Sequence, residues 1–502
     1  MTHAALAVIL IPLAAAIIAS IASVRLARVP RIAALASGIA HMAAVVITVA
    51  RVAKDGGLTY SLGGWAAPVG IVLVADAFSI VFLLITAVGH VSFLLHGMAE
   101  EKQNRKGVWI LTEILVAALS GIALAGDLFN LFVFVELASV TSVGLIAHKQ
   151  HARGAGAGFV YLVFASLSGS FLLIAVLLLY SATGVLTIAE IAANVAGMPR
   201  TSYLATTGLI LASFGMKFGL IPLHFWQAPS YHAAGSSVSA LLSGTAMTLY
   251  IYAVVRLLFH MMRVSVHFPQ AALLITVLGC VNVVGGHLLG LAERDLKRLL
   301  AYSSVAHVGY MLLGFGAAAS GRMGATAATA GLLHVVFHAV MKSALFYSGR
   351  RLIVAADSSA IAGLQGSARR DTVAFTAFFL ASLAIVGVPP ASGFVSKWRV
   401  AQATAAVAGV WPVLVVAVGT VISMIYYARV FHASLREGGR QGTRARTAGG
   451  PWRYAGLFTV TALGLATLVL GLGASGVEEL LEPAAQARVD LEQYVLLVRG
   501  GP

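Results

Sequence analysis

The chain is 502 residues long, 59% hydrophobic and only 10% charged, with a mean hydropathy of +0.93. Soluble proteins carry roughly a quarter charged residues, so this composition excludes a globular domain in water and makes lipid the natural solvent. The formal net charge of +15 does not mark a nucleic-acid binder, because its basic residues are sorted by loop, as membrane topology requires.

Apolar stretches of roughly 20 residues recur along the whole length and leave no room for a sizeable soluble domain. They predict an all-α integral membrane protein of about fourteen transmembrane helices. These lie near 4–24, 31–50, 72–96, 107–125, 128–147, 157–180, 203–225, 237–262, 269–291, 299–318, 324–348, 372–411 (a broken helix), 413–432 and 455–475. The first segment has no basic run before it and leads into Arg25, so an uncleaved helix is expected rather than a signal peptide.

Counted from an outside N-terminus, the basic residues crowd into alternate loops. One set holds Arg25, Arg28, Arg31, Lys102, Arg105, Lys106, Lys149, Arg153, Arg294, Lys297, Arg298, Arg350, Arg351, Arg369, Arg370, Arg436, Arg440, Arg444, Arg446 and Arg453. The other loops offer Arg51, Lys54, Arg200, Arg263 and Arg322. Twenty against five is a strong positive-inside bias, and it places both termini outside if the helix count is even.

Along the chain, Asp76 and Glu113 fall nearer helix ends, where a solvated or capping role is expected. Glu136 is different, sitting in Leu131-Phe132-Val133-Phe134-Val135-Glu136-Leu137-Ala138. Lys217 follows in Gly215-Met216-Lys217-Phe218-Gly219-Leu220-Ile221-Pro222. A charge at the centre of a membrane helix costs at least about 2.5 kcal/mol and marks ion or proton routes. A buried carboxylate and a buried lysine favour each other's charged forms, so changing their separation lets the pair take up and release a proton. A static ion pair fixing the helices is the plainer reading of the same residues. His224 and His232, at the end of the Lys217 segment, mark either an inside access route or an interfacial position.

The lone cysteine, Cys280, lies in an apolar run. It excludes a disulfide within the chain and a thiolate cage for an iron–sulfur cluster, and is read as an inert buried thiol. No glycine-rich phosphate loop, zinc spacing or nucleophile elbow is present, so neither cofactor nor metal is expected. The string from Asp295 through Lys297 and Arg298 reads as a loop anchor. Beyond it, Ser303, Ser304 and His307 share a helix face, either as a water-holding half-channel or as polar glue between helices.

His334, His338 and Lys342 recur every fourth residue and so stack on one helical face. Imidazoles titrate near neutrality and relay protons through either nitrogen. A proton wire is favoured over zinc, because the third position is a lysine and no carboxylate or thiol partner is apparent. Lys397 follows the breakers Pro389, Pro390 and Gly393, much as Lys217 lies beside Pro222. Paired interrupted helices in two halves are the sign of an inverted-repeat transporter. The tail from Glu478 onward is amphipathic, suited to the outer surface or to a neighbouring subunit.

Four ordered strings carry a resemblance. They are Gly126-Asp127-Leu128-Phe129-Asn130-Leu131-Phe132-Val133-Phe134-Val135-Glu136, Lys217-x-Gly219-x-x-Pro222-x-His224-x-Trp226, Asp295-x-Lys297-Arg298-x-x-Ala301-Tyr302-Ser303-Ser304 and Ser392-Gly393-Phe394-x-x-Lys397. Over nearly the whole length the chain resembles the antiporter-like subunits of complex I, membrane-bound hydrogenases and Mrp-type Na+/H+ antiporters. Within that family, residues 62–76 and the short tail look most like the D-type subunits of Mrp antiporters. The resemblance implies fourteen helices with two inverted five-helix repeats, here 107–262 and 269–432, each with a broken helix. It also implies that Glu136 and Lys217 form the family's pair and that Lys397 ends its polar axis. Thr248 departs from the pattern, standing where the family usually has a central lysine. A hydroxyl can hold water but carries no charge at neutral pH.

The expected function is therefore a proton-translocating subunit of a multisubunit cation/proton antiporter in a bacterial inner membrane, working with other membrane subunits that handle Na+. Two alternatives stay open. One is the membrane arm of a redox-driven complex, such as a complex I-like NADH:quinone oxidoreductase or a membrane-bound hydrogenase. The other is a non-conducting scaffold, for which Thr248 is the argument.

Overall fold

The computed structural model describes residues 3–26, 28–99, 106–148, 152–262, 268–319, 324–437, 452–487 and 490–499. Among these, twelve helices are long and apolar enough to cross a membrane. Two further expected spans are interrupted. The Arg200–Phe218 helix is followed by a turn and the short Gln227–Ala233 helix, and Thr372–Val386 is followed by Ser392–Ala408. Of the basic residues expected to orient the chain, Lys102, Arg105, Lys149, Arg263, Arg322, Arg440, Arg444 and Arg446 lie outside the described residues.

Burial separates the centre of the molecule from its rim. The Ser236–Phe259 span is 100% buried and Leu296–Ala319 is 94% buried, whereas Ala4–Ala22 and Trp411–Leu435 are 33% buried. Apolar side chains such as Ile17, Ile18, Leu414 and Val418 face outward from those rim helices, as lipid-facing positions require. Lys217, His334, His338, Lys342 and Lys397 are buried, while Glu136 and His232 are partly exposed.

One expected boundary moves. The span read as 72–96 begins at Ala77, because Val72–Ala75 is a strand paired antiparallel with Leu58–Ser61. Asp76 then starts the helix. Its carboxylate accepts the Ser79 amide at 2.8 Å, while the Ser79 hydroxyl accepts the Asp76 amide at 2.8 Å. This reciprocal cap satisfies donors that a helix start otherwise leaves open.

The capping role expected of Asp76 is thus met, but a solvated one is not. Its carboxylate is buried and takes two 2.7 Å bonds from the Arg256 guanidinium. Glu113 needs a fuller correction. It lies about two turns into the Lys106–Leu124 helix, is 1% exposed, and is bonded to Ser37 at 2.6 Å and His90 at 2.9 Å. Neither solvation nor capping describes it.

Candidate functional site

The first charged pair is made by two helix ends. Asp127 caps Leu128–Ala147 by accepting the Asn130 amide at 2.7 Å, and about two turns later the helix presents Glu136. The Arg200–Phe218 helix ends because Gly219 adopts φ +82°, a left-handed conformation that side chains with a Cβ avoid. Lys217 is thereby held in the last turn, buried, with Nζ 3.8 Å from Glu136 Oε1.

That distance is a charge contact, too long for a hydrogen bond. The ammonium instead donates to Ser139 Oγ and lies 3.4 Å from the Ala165 carbonyl. Glu136 Oε1 has no hydrogen-bond partner and its side chain is 31% exposed. Gly169 leaves room for the carboxylate, since a Cβ there would stand 2.5 Å from Oε1.

Breaking a helix inside a membrane frees peptide groups that need partners. Asn282, on Phe268–Ala292, supplies them: it accepts the Ile221 amide at 2.8 Å and donates to the Gly219 carbonyl at 3.2 Å. It also donates to the Val305 carbonyl at 3.1 Å, tying the break to the central Leu296–Ala319 helix. Trp226 Nε1 donates to the Met216 carbonyl.

The central Leu296–Ala319 helix links this first break to a second group of polar side chains. Ser304 and Ser243 hydroxyls meet at 2.8 Å, and Ser304 also donates to the Leu300 carbonyl at 3.0 Å. That carbonyl accepts the buried Lys342 ammonium at 2.9 Å. Lys342 and Ser304 therefore share one acceptor. Ser243 belongs to a π-helical stretch, Leu242–Ala246, and Thr248 follows it. The Thr248 hydroxyl donates to the Thr245 carbonyl at 2.7 Å, so its proton is engaged within its own helix.

Beyond Lys342 the imidazoles gather. His307 Nδ1 and His334 Nε2 are 3.0 Å apart with stacked rings, and His334 Nδ1 meets Ser396 Oγ at 3.0 Å. His338 lies 5.7 Å from the His307 ring, fully buried, with neither ring nitrogen hydrogen-bonded. Lys397 donates to the Val386 carbonyl at 3.0 Å, a group freed where Thr372–Val386 stops at Gly387 (φ +94°). Its ammonium also sits 4.6 Å over the Tyr310 ring.

His287 joins this cluster although nothing in its run singled it out. Its two nitrogens meet the hydroxyls of Tyr426 and Tyr310, each at 3.1 Å, and its ring is 6.1 Å from His307. Asn282 and His287 lie on one largely apolar helix, Phe268–Ala292, and share one faint signal, a strongly polar side chain among apolar neighbours. Ser303 meets the Tyr427 hydroxyl at 3.3 Å.

The remaining residues lie to one side. His224 is mostly buried, stacked on Phe225, with Nδ1 unpartnered. His232 is partly exposed and meets Asp295 at 3.0 Å. Asp295 also accepts the Lys297 and Arg298 amides, capping the central helix. Burial alone would raise the Asp295 carboxyl, but bonds from His232, Ser359 and the Arg298 amide hold it below the usual carboxylate range. Lys297 is buried and donates to the His232 and Ala234 carbonyls at 2.9 and 2.5 Å. The string read as a loop anchor is therefore a fastening between the broken helix and the central one.

Three comparisons bear on this arrangement. Residues 125–423 match the family model described as NADH:quinone oxidoreductase/Mrp antiporter, TM. The chain is similar to the D-type subunit of the Na(+)/H(+) antiporter of Bacillus subtilis (strain 168), 31% identical over 89% of this chain and 90% of that one. It is also similar to the N-type subunit of the NADH-quinone oxidoreductase of Desulforudis audaxviator, 30% identical over 94% of this chain and 96% of that one. Among solved structures, a chain of the membrane-bound sulfane sulfur reductase, an archaeal respiratory membrane complex, superposes with a TM-score of 0.88 at 25% identity, covering 98% of this chain and 99% of its own.

Proposed function

Because the chain belongs to the NADH:quinone oxidoreductase/Mrp antiporter membrane family, we propose that it translocates protons as one subunit of a multisubunit cation/proton antiporter. The observation that carries this reading is the buried Lys217 ammonium, 3.8 Å from a partly exposed Glu136 carboxylate that it does not hydrogen-bond. A pair fixed for packing would close that gap to the 2.7–2.9 Å of a charge-assisted bond.

A proton reaching Glu136 cancels its negative charge and weakens its hold on the Lys217 ammonium. Lys217 can then release its own proton toward the centre; the neutral amine next takes up the proton held by Glu136, which restores the carboxylate and the charged pair. The onward route runs by bridging water to Ser243 and Ser304, then by water again to Lys342, which shares the Leu300 carbonyl with Ser304 as a hydrogen-bond acceptor. From there it reaches His338, His307 and His334, and ends at Lys397. His287, Tyr310 and Tyr426 extend this imidazole cluster. His224 borders a half-channel beside the first broken helix, and His232 lies toward its inside-facing end, against Asp295. Thr248, engaged with its own helix, stands beside the route rather than on it.

In this proposal the two inverted repeats are 107–262 and 269–432, the chain lies in a bacterial inner membrane, and both termini face outward. Other membrane subunits supply the Na+ route. Similarity to the N-type subunit of an NADH-quinone oxidoreductase over 94% of this chain favours a second reading, in which electron transfer in a partner drives the same proton route.

Na+-induced pH changes in everted vesicles from antiporter-deficient cells separate these readings, with the gene expressed beside its operon neighbours. Exchange that Lys217→Ala abolishes at unchanged membrane level is the expected result. Exchange that survives Lys217→Ala would remove this chain from the proton route and leave it a scaffold. No exchange from an intact, assembled complex would favour the redox-driven machine.

A further inference from the structure

Outside the region matched by the family model, three helices enclose a second polar cluster. Glu113 on Lys106–Leu124, His90 on Ala77–Met98 and His41 on Val29–Asp55 are 1%, 0% and 0% exposed. The Glu113 carboxylate accepts the Ser37 hydroxyl at 2.6 Å through one oxygen and meets His90 Nε2 at 2.9 Å through the other. His41 Nε2 meets the Ser120 hydroxyl at 3.2 Å, and its ring lies 5.5 Å from that of His90. Both histidines keep Nδ1 buried with no hydrogen-bond partner.

We propose that Glu113, His90 and His41 form a second proton-holding site, binding one exchangeable proton shared between the Glu113 carboxylate and the His90 imidazole. Three observations support it. Native interiors rarely leave buried polar nitrogens unpaired, and two in one cluster mark a place where hydrogen bonding changes with occupancy. A neutral imidazole has one donor and one acceptor nitrogen, so each ring can gain or pass on a proton through its open side. Two imidazoles this close oppose each other's charging, which limits the cluster to one exchangeable proton.

Among the described residues, the other titratable groups on the surrounding helices are exposed or turned elsewhere: Glu478 on Ala474–Ala487, which packs against the His90 helix, pairs with Arg399, and Glu479, Glu482, Tyr454, Arg51 and Lys54 are exposed. Ala4–Ala22 carries no titratable side chain. Arg31 reaches Met98, and His96 is bonded to Ser237. Leu128–Ala147 turns Glu136 toward Lys217, Met247–Val255 turns Tyr252 toward Arg256, and Gly324–Ala356 turns Lys342 toward Leu300. The cluster also has a neighbour on the main route. Gly89, next to His90, abuts the Thr245 side chain in the π-helical stretch that carries Ser243. The His90 helix thus separates the cluster from the centre of the proton path by one helix thickness.

The transport role of this site rests on the proposed proton route, but its proton binding does not. Infrared pH-difference spectra of the purified complex read that binding directly. The expected spectrum contains a carboxyl band that Glu113→Gln removes. Ser37→Ala keeps the band but shifts its stretching frequency, because the Glu113 carboxyl loses the Ser37 hydrogen bond. A spectrum unchanged by Glu113→Gln, or a band frequency unmoved by Ser37→Ala, would make the cluster a static fastener. If Glu113→Gln prevents assembly, the Ser37→Ala band shift decides alone. A band lost in Glu113→Gln alongside exchange that survives Lys217→Ala would keep this site while refuting the route through Lys217.

Discussion

An ammonium among apolar helices has three donors to satisfy, and for Lys217 the strongest acceptor is Ser139 rather than Glu136. The hydroxyl holds the charge without neutralising it, which leaves Glu136 free to respond to protons. Ser139→Ala should therefore bring Lys217 to the carboxylate as a closed ion pair and slow exchange by about tenfold, since a hydrogen bond to a charged group contributes about 1.5–3 kcal/mol. Transport rate at equal membrane level checks this, and an unchanged rate would show the hydroxyl to be idle. Glu136 and Lys217 were legible in the sequence because a charge in an apolar run has few reasons to exist. Ser139 was not, because its role depends on the register between two helices. His287 was hidden for the same reason: its meaning comes from Tyr310 and Tyr426, which three different helices bring together.

At the scale of elements, the two interrupted helices do opposite things with their freed backbone. The second break presents the Val386 carbonyl to Lys397, so the freed group holds a functional charge. The first break gives its Ile221 amide and Gly219 carbonyl to Asn282, so a helper side chain closes the gap. Asn282→Leu would leave three backbone groups without that partner, at about 1–3 kcal/mol for each one left unsatisfied. The expected outcome is a lower melting temperature of the purified complex together with lost exchange, because Lys217 sits two residues before the break. A variant as stable as the intact protein would mean that other groups satisfy the backbone. Both breaks were legible from Pro and Gly beside lysine. The strand at Val72–Ala75 was not, since four apolar residues ahead of a helix have no period of their own to separate strand from helix.

At the scale of the whole chain, the last described helix folds back onto residues far from it in sequence. The Leu491–Arg499 helix places Tyr494 over the Arg256 guanidinium at 5.0 Å, the same group that pairs with Asp76. At its end Arg499 meets Glu190 at 2.8 Å, clasping the tail to the short Ile188–Asn194 helix. Amphipathicity alone had left the tail between the outer surface and a neighbouring subunit, and the partners Arg399 of Glu478, Arg256 of Tyr494 and Glu190 of Arg499, all distant in sequence, decide in favour of this chain. The clasp has a pH dependence of known sign. The Arg499 guanidinium holds the Glu190 carboxyl below its ordinary range, so its contribution is present above the ordinary carboxylate pKa of about 4.3 and fades as pH falls through the lower folded value. Amide exchange over 491–499, corrected for the chemical rate at each pH, should therefore show protection at neutral pH that decreases under acid. Arg499→Ala should give the acid-level protection at neutral pH as well. Protection independent of both pH and Arg499 would mean that the tail is fastened by the buried contact of Tyr494 on Arg256 rather than by the exposed ion pair.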